Sequence, residues 1–357
     1  MLSRALADVL APFAMMANKN AMKEIYRCLQ IEPHMLRAVA PYGILEAYID
    51  IGIPVTTFVD TLQFHQVIKS LPAGHDVLFD VKGGAVTWEC DTAEGRIAML
   101  PPQTLPEIDQ SAIMAGIAPS EAFLDALELG ALSCGGMSSQ TLGAYGIVFD
   151  NSGDEFVVMS TDNVTLSTCM AWKERKPQFP DKLTLHPNAV DLLREVAKGK
   201  PEDVLVDFGH ESVRCVNKKF NLTLKPAPAL KHDLRSIAER MNSRSVLIPI
   251  PHERMQGFIR RVAALAETKQ TTNVTLRIAD GAMALSFAEG VSTSDEYYIT
   301  KDLDAKGTFP DITLDAQRVS RALQHSTHLV FDHLKDKVLL LVGDNPPFTY
   351  MIAARAN

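Results

Sequence analysis

One block of sequence occurs three times in this chain, in the same internal order each time, and that recurrence constrains the fold more than any other feature. The first copy runs Val59-Asp60-Thr61-Leu62, then Phe64, Val67 and Ile68, then Val77-Leu78-Phe79-Asp80-Val81. The second runs Leu185-His186-Pro187, then Ala189, Leu192 and Leu193, then Val204-Leu205-Val206-Asp207-Phe208. The third runs Leu314-Asp315, then Val319, Ala322 and Leu323, then Leu329-Val330-Phe331-Asp332-His333. Asp80, Asp207 and Asp332 mark equivalent places 127 and 125 residues apart, a domain-sized period and not the short period of a solenoid. Three similar domains are expected, over 1–110, 111–243 and 244–357, in a chain of 357 residues that is too long for one ordinary core.

Each copy has the same grammar: an extended segment, a short helix with apolar residues at i, i+3 and i+4, then alternating strands such as Val86-Thr87-Trp88-Glu89-Cys90 or Val338-Leu339-Leu340-Leu341-Val342. A second set of helices lies between the copies, beginning near Leu2, Pro119 and Pro251. Each is followed by a hairpin-like stretch: Met35 to Ile51, Phe156 to Ala171 and Met283 to Ile299. The fold class is therefore α+β, six helix-plus-antiparallel-strand half-units in three domains. Short helices with one apolar stripe must lie on a sheet, which leaves their other faces open to solvent or a partner.

Those open faces carry scattered cations. Arg4 and Lys69 belong to the first domain, Arg194, Lys198 and Lys200 to the second, and Arg254, Arg260, Arg261, Arg318 and Arg321 to the third. The helix after Pro119 shows Glu121, Asp125 and Glu128 instead. With 35 Lys+Arg against 43 Asp+Glu the net charge is −8, so nucleic acid is not gripped by bulk charge; a thin basic lining allows weak phosphate contact without base reading. Catalytic signatures are scarce, with none of the nucleotide-binding, nucleophile-elbow or zinc-protease motifs. Cys134-Gly135-Gly136 has no placed base, His325, His328 and His333 straddle a helix end and a strand, and the five cysteines show no Cys-x-x-Cys pair. No enzyme activity, cofactor or metal is expected. No run is long enough for a membrane span and Asp8 interrupts the apolar start, so the chain is expected to be cytoplasmic.

A chain of three doubled helix-plus-sheet domains resembles the bacterial sliding clamp, the beta subunit of DNA polymerase III. Phe156-Val157-Val158-Met159-Ser160-Thr161-Asp162-Asn163-Val164-Thr165-Leu166-Ser167 is similar to the family's strand and Ala-Thr-Asp-Gly-His-Arg-Leu-Ala motif. Tyr350-Met351-Ile352-Ala353-Ala354-Arg355-Ala356-Asn357 is similar to its Tyr-Val-Val-Met-Pro-Met-Arg-Leu terminus. Asp233-Leu234-Arg235-Ser236-Ile237 falls where the family links its second and third domains through Phe-Pro-Asp-Tyr-Arg-Arg-Val. The order and spacing match over nearly the whole chain, with low identity, as in a divergent or phage-encoded member. Departures from the family's motifs include Met1, which stands at the first helix where the family has a strand before it, Asn163, Val164 and Thr165, which replace Gly-His-Arg, and Ala353, which replaces a methionine.

The resemblance implies a DNA clamp fold and a head-to-tail homodimer, a ring with helices inside, sheets outside and duplex DNA through the hole. It implies a processivity factor, nucleoid-associated or in a host cytoplasm, that engages DNA polymerase and clamp loader through short peptide motifs. The pocket for those peptides maps to Thr161, Asn163, Val164, Thr165, Leu166, Ile237, Met351 and Ala353, and should be less basic and narrower at its rim than the family's. Two other readings are a monomeric clamp-fold adaptor or inhibitor of replisome peptides, and an unrelated enzyme using Cys134 or the three histidines.

Overall fold

The computed structural model describes residues 1–18, 23–106, 116–134, 146–198, 203–244, 247–265, 272–279, 282–289, 292–299, 311–333 and 336–354. Lys200, Gly135, Gly136 and Arg355 to Asn357, all singled out above, lie outside them.

The three repeated blocks share one local device, a residue at or just after the end of a strand that caps the helix that follows. The elements in the first part of the chain are α1 (Ser3–Met16), β1 (Cys28–Glu32), β2 (Met35–Ala40), β3 (Gly43–Tyr48), β4 (Thr57–Asp60), α2 (Thr61–Ser70), β5 (Leu78–Lys82), β6 (Ala85–Cys90) and β7 (Ala93–Ala98). The middle contains α3 (Glu121–Gly130), β8 (Ile147–Asp150), β9 (Phe156–Thr161), β10 (Thr165–Trp172), β11 (Lys182–Leu185), α4 (Pro187–Ala197), β12 (Leu205–Phe208), β13 (Val213–Val216), β14 (Phe220–Leu224) and α5 (Leu234–Arg240). The last part contains β15 (Leu247–Pro249), α6 (His252–Leu265), β16 (Asn273–Ala279), β17 (Ala282–Glu289), β18 (Ser292–Ile299), β19 (Ile312–Asp315), α7 (Ala316–Leu323), β20 (His328–Val330), β21 (Val338–Asp344) and β22 (Pro347–Ala353).

Asp60 ends β4 and accepts the Gln63 amide of α2 at 3.0 Å. His186 follows β11 and caps α4, with Pro187 at the first helical turn where a missing N–H costs nothing. Asp315 ends β19 and accepts the Gln317 and Arg318 amides of α7. The apolar stripes are buried as their spacing requires: Phe64 and Ile68 on α2, Leu192, Leu193 and Val196 on α4, Val319, Ala322 and Leu323 on α7. The strand after the helix is preserved less well. In the third copy only His328–Val330 pairs, and Phe331-Asp332-His333 leave the ladder in a turn, shortening the strand expected there.

The described residues form two compact units that each combine two separated stretches of chain: Met1–Leu124 with Lys176–Ala227, and Asp125–Arg175 with Pro228–Asn357. In the first, one antiparallel sheet runs β12-β13-β14-β3-β2-β1-β4, and β5-β6-β7 forms a second. The two stretches meet at β14–β3, from Phe220 opposite Ala47 to Leu224 opposite Gly43. A Cβ on Gly43 would come within 2.6 Å of the Thr223 carbonyl oxygen, so this seam requires glycine. Glu46, fully buried beside it, is held by Arg37, whose Nε lies 2.8 Å away, and by Asn221 and Tyr48. Helix α1 packs on α2 and α4 through Leu6, Leu10 and Phe13. Ahead of it, the Val77 amide donates to the Met1 carbonyl and the Ser3 amide to that of His75, so one antiparallel bridge precedes the helix where no pairing was expected.

In the second unit a sheet runs β8-β9-β10-β22-β21-β20-β15, and β18-β17-β16-β19 forms another. The seam is β10–β22, with Leu166 opposite Met351 and Thr165 opposite Ile352. Both seams join strands that are far apart in sequence, and the second positions the site.

Candidate functional site

The turn between β9 and β10 is determined by its own side chains. Asp162 Oδ1 accepts the amides of Val164 (3.0 Å) and Thr165 (2.7 Å) and the Thr165 hydroxyl (2.8 Å). Thr161 Oγ1 donates to the Thr165 carbonyl at 2.6 Å and accepts the Asn163 amide. Asn163 adopts φ +69°, a left-handed conformation that asparagine tolerates better than most residues. Val164, at the tip, is 38% exposed. Its carbonyl accepts the Ala353 amide at 2.9 Å, which ties the turn to β22.

The segment read from sequence as a link, Asp233 to Ile237, is the start of α5, a helix the sequence reading missed. Leu234, Ile237 and Met241 recur at i, i+3 and i+7 and pack against Val148, Met159, Leu166, Val330, Leu340 and Met351. A seven-residue helix does not hold in isolation, so packing must stabilise it. So does Arg235, whose Nε lies 2.9 Å from the buried Asp150 carboxylate and whose terminal nitrogen donates to the Glu155 carbonyl. The stripe was visible in the sequence, but it was too short to distinguish from a linker.

Between the turn, α5 and the end of β22 lies a cavity of about 450 Å³. All eight residues expected at a pocket line it: Thr161, Asn163, Val164, Thr165, Leu166, Ile237, Met351 and Ala353. His232, Leu234, Met241 and Val338 complete the wall and were not foreseen. The lining is mostly aliphatic with two thioethers, and it contains neither an arginine nor a carboxylate. Tyr350, beneath it, has its hydroxyl pushed up by burial, an effect opposed by hydrogen bonds to Thr165 and Ser133. A smaller cavity of about 320 Å³ shares Met241 and Met351, and one of about 540 Å³ lies against α6 and α7. Size therefore does not single out the site, and the 320 Å³ cavity gathers the same three segments; what distinguishes the 450 Å³ cavity is its uncharged, largely aliphatic wall, where the smaller one is lined by Glu155, Arg235, Glu239 and Arg244.

Most of the expected basic residues lie on exposed helix faces. In the first unit Arg4, Lys69 and Lys198 are exposed and Arg194 is half-buried; Lys198 pairs with Glu195 at 2.7 Å. In the second, Arg254, Arg260, Arg261 and Arg321 are exposed, and Arg261 also lies over the Phe258 ring at 5.9 Å. Arg318 departs from the expectation of an open cation. Its guanidinium is turned to the Asp162 carboxylate, with contacts of 2.9 and 3.2 Å. Among the described residues, no group of three His, Cys, Asp or Glu is placed to hold a metal. Within the same residues, no helix is long and apolar enough to cross a membrane.

Solved structures match this fold over the full chain. The Caulobacter crescentus beta sliding clamp superposes with a TM-score of 0.80 at 15% identity, covering 100% of this chain and 98% of that one. The Pseudomonas aeruginosa DNA polymerase III beta subunit gives 0.75 at 15% identity and the Helicobacter pylori beta clamp 0.74 at 16%, each covering 100% of this chain and 99% of the other. This chain has the sliding-clamp fold. No protein-family profile matches the clamp-fold chain, and no curated protein matches it in sequence. At this identity, the likeness to solved clamps carries the fold and nothing finer.

Proposed function

We propose that the chain is a DNA sliding clamp: a non-catalytic processivity factor, two copies of which close head to tail around duplex DNA and tether a replicative polymerase. On this reading the sequence repeat at 1–110, 111–243 and 244–357 divides each protomer into three domains, six around the ring, working in the cytoplasm. The observation that carries the reading is the convergence of residues from β9–β10, α5 and β22 on one apolar cavity in a chain of clamp fold. A cavity of that size and lining suits a Leu or Phe anchor of a partner peptide, with methionines adjusting to its shape. The lack of base-reading features is what a protein held on DNA by topological linkage needs, since weak, sequence-independent phosphate contact lets it slide. Among the described residues β5, where Leu78 is 66% exposed, and β18 are edge strands of their sheets, the kind of edge through which copies can close.

The test is binding of a fluorescein-labelled six-residue peptide ending in Leu-Phe, followed by anisotropy. Wild-type protein should bind it, and the double variant Leu166→Asp, Met351→Asp should not. Both residues are 5% exposed and also serve the core, so Val164→Asp at the exposed rim is the companion variant, expected to weaken binding while the protein stays folded. Wild-type affinity in folded Val164→Asp and in the double variant would place partner recognition elsewhere.

A further inference from the structure

The turn that carries Asn163, Val164 and Thr165 to the cavity rim is held by an ion pair reaching it from a helix in a distant part of the sequence. Asp162 is 14% exposed at its side chain and Arg318, on α7, 25%. Arg318 Nη2 lies 2.9 Å from Asp162 Oδ2 and Nη1 3.2 Å from Oδ1, a two-pronged contact. The same Oδ1 accepts the Val164 and Thr165 amides and the Thr165 hydroxyl. One carboxylate thus organises the rim from inside, and one guanidinium fixes the carboxylate from outside. Arg318 is itself anchored, because its amide donates to Asp315 at the start of α7 and the helix is seated by Val319, Ala322 and Leu323. Asp162 acts on the rim through the loop's own hydrogen bonds, whereas Arg318 connects that loop to the body of the unit.

We infer that Arg318 is a positioning residue for the cavity: its fork on Asp162 holds the 162–164 turn in the shape that presents Val164 and Thr165 to a bound peptide. The inference deepens the reading of the cavity as a partner site, on which it rests. A lysine could supply the charge but not the planar two-pronged geometry, so Arg318→Lys should recover only part of what Arg318→Met loses.

Two measurements on full-length protein test this. One is affinity for the labelled Leu-Phe peptide; the other is amide hydrogen exchange at Val164 and Thr165, which reads the turn without any ligand. Arg318→Met should weaken the peptide by about tenfold, the scale for losing a charge-assisted pair, and speed exchange at those two amides by a similar factor while Val158 in β9 is unchanged. Arg318→Lys should fall between the two, and it carries the test alone if Arg318→Met does not fold. Unchanged affinity overturns the inference. So does lost affinity with unchanged exchange, which would make Arg318 a direct contact, and so does a loss confined to salt-sensitive DNA binding, which would return it to the basic face. If wild-type protein binds no peptide, the cavity reading fails by itself, and exchange still decides whether Arg318 fixes the turn.

Discussion

Cys169 and Cys215 are pressed into the cores of their units, and burial pushes each thiol up to about 12; for Cys169 the nearby Asp125 adds to the effect. Cys28 is pushed up to about 11, first by burial and then by Glu24 and Asp60. The folded state therefore holds protons that the unfolded chain gives up above the ordinary value of 9.0. Stability contributed by the neutral buried thiols is fully present below that pH and falls as pH rises towards 12, by up to about 1.4 kcal/mol per pH unit for each thiol. Urea midpoints should accordingly be flat from neutral pH to about 9 and drop above it, with a shallower drop in Cys215→Ala. Equal slopes in variant and wild type would remove this account. At pH 8 a thiol reagent should react quickly only with half-buried Cys134, the other four needing unfolding.

At the scale of elements, two of the three strand-cap-helix junctions are capped by an aspartate and the third by a histidine, and the third depends on pH. His186 Nδ1 accepts the Asn188 amide at 3.2 Å and its ring stacks on Tyr42 with centroids 5.3 Å apart. Burial lowers its pKa from the ordinary 6.5. An acceptor nitrogen must be unprotonated, so the capping stability is present above 6.5 and is lost as pH falls below it, where the unfolded chain takes up the proton first. His186→Asn should keep the cap and flatten the stability profile between pH 6.5 and 5, whereas His186→Ala should cost about 1 kcal/mol at neutral pH. Thermal melts across that range decide the matter, and a profile unchanged in His186→Asn would discount the cap. The capping roles of Asp60, His186 and Asp315 came from the structure, whereas the stripes of the helices they cap were legible in sequence because their spacing is local. Helix α5 was not, because a stripe of three apolar residues becomes a helix only when the sheet beneath it is present.

At the scale of the molecule, the proposed function requires more than one copy. Light scattering at micromolar concentration should give a mass near twice 39.2 kDa. A strict monomer would sink the ring and favour the adaptor reading. Reversing Arg194, Lys198, Arg260 and Arg261 to Glu should lower salt-sensitive retention on circular DNA without creating or removing a sequence preference. Sequence-specific binding to a short linear duplex would contradict a clamp held by linkage. The Lys198–Glu195 pair is exposed and worth little, so freeing it does not confound the charge reversal.

Periodicity and local chemistry in the sequence determined the repeat, the helix stripes and the α+β class, since each depends on patterns of residues a few positions apart. The resemblance of three short segments also pointed to eight residues that line one cavity, but not to His232, Leu234, Met241 and Val338, which complete its wall. Tertiary structure alone decided the two seams, β14–β3 and β10–β22, because the pairing of strands far apart in the chain depends on which edges meet. It also decided the fate of Arg318. Helical spacing puts that side chain off the apolar stripe, in the direction of solvent, but only the folded unit brings Asp162 within 2.9 Å of it. Spacing along a helix decides whether a charge avoids its own core; the charge it meets instead depends on residues that sequence distance does not connect.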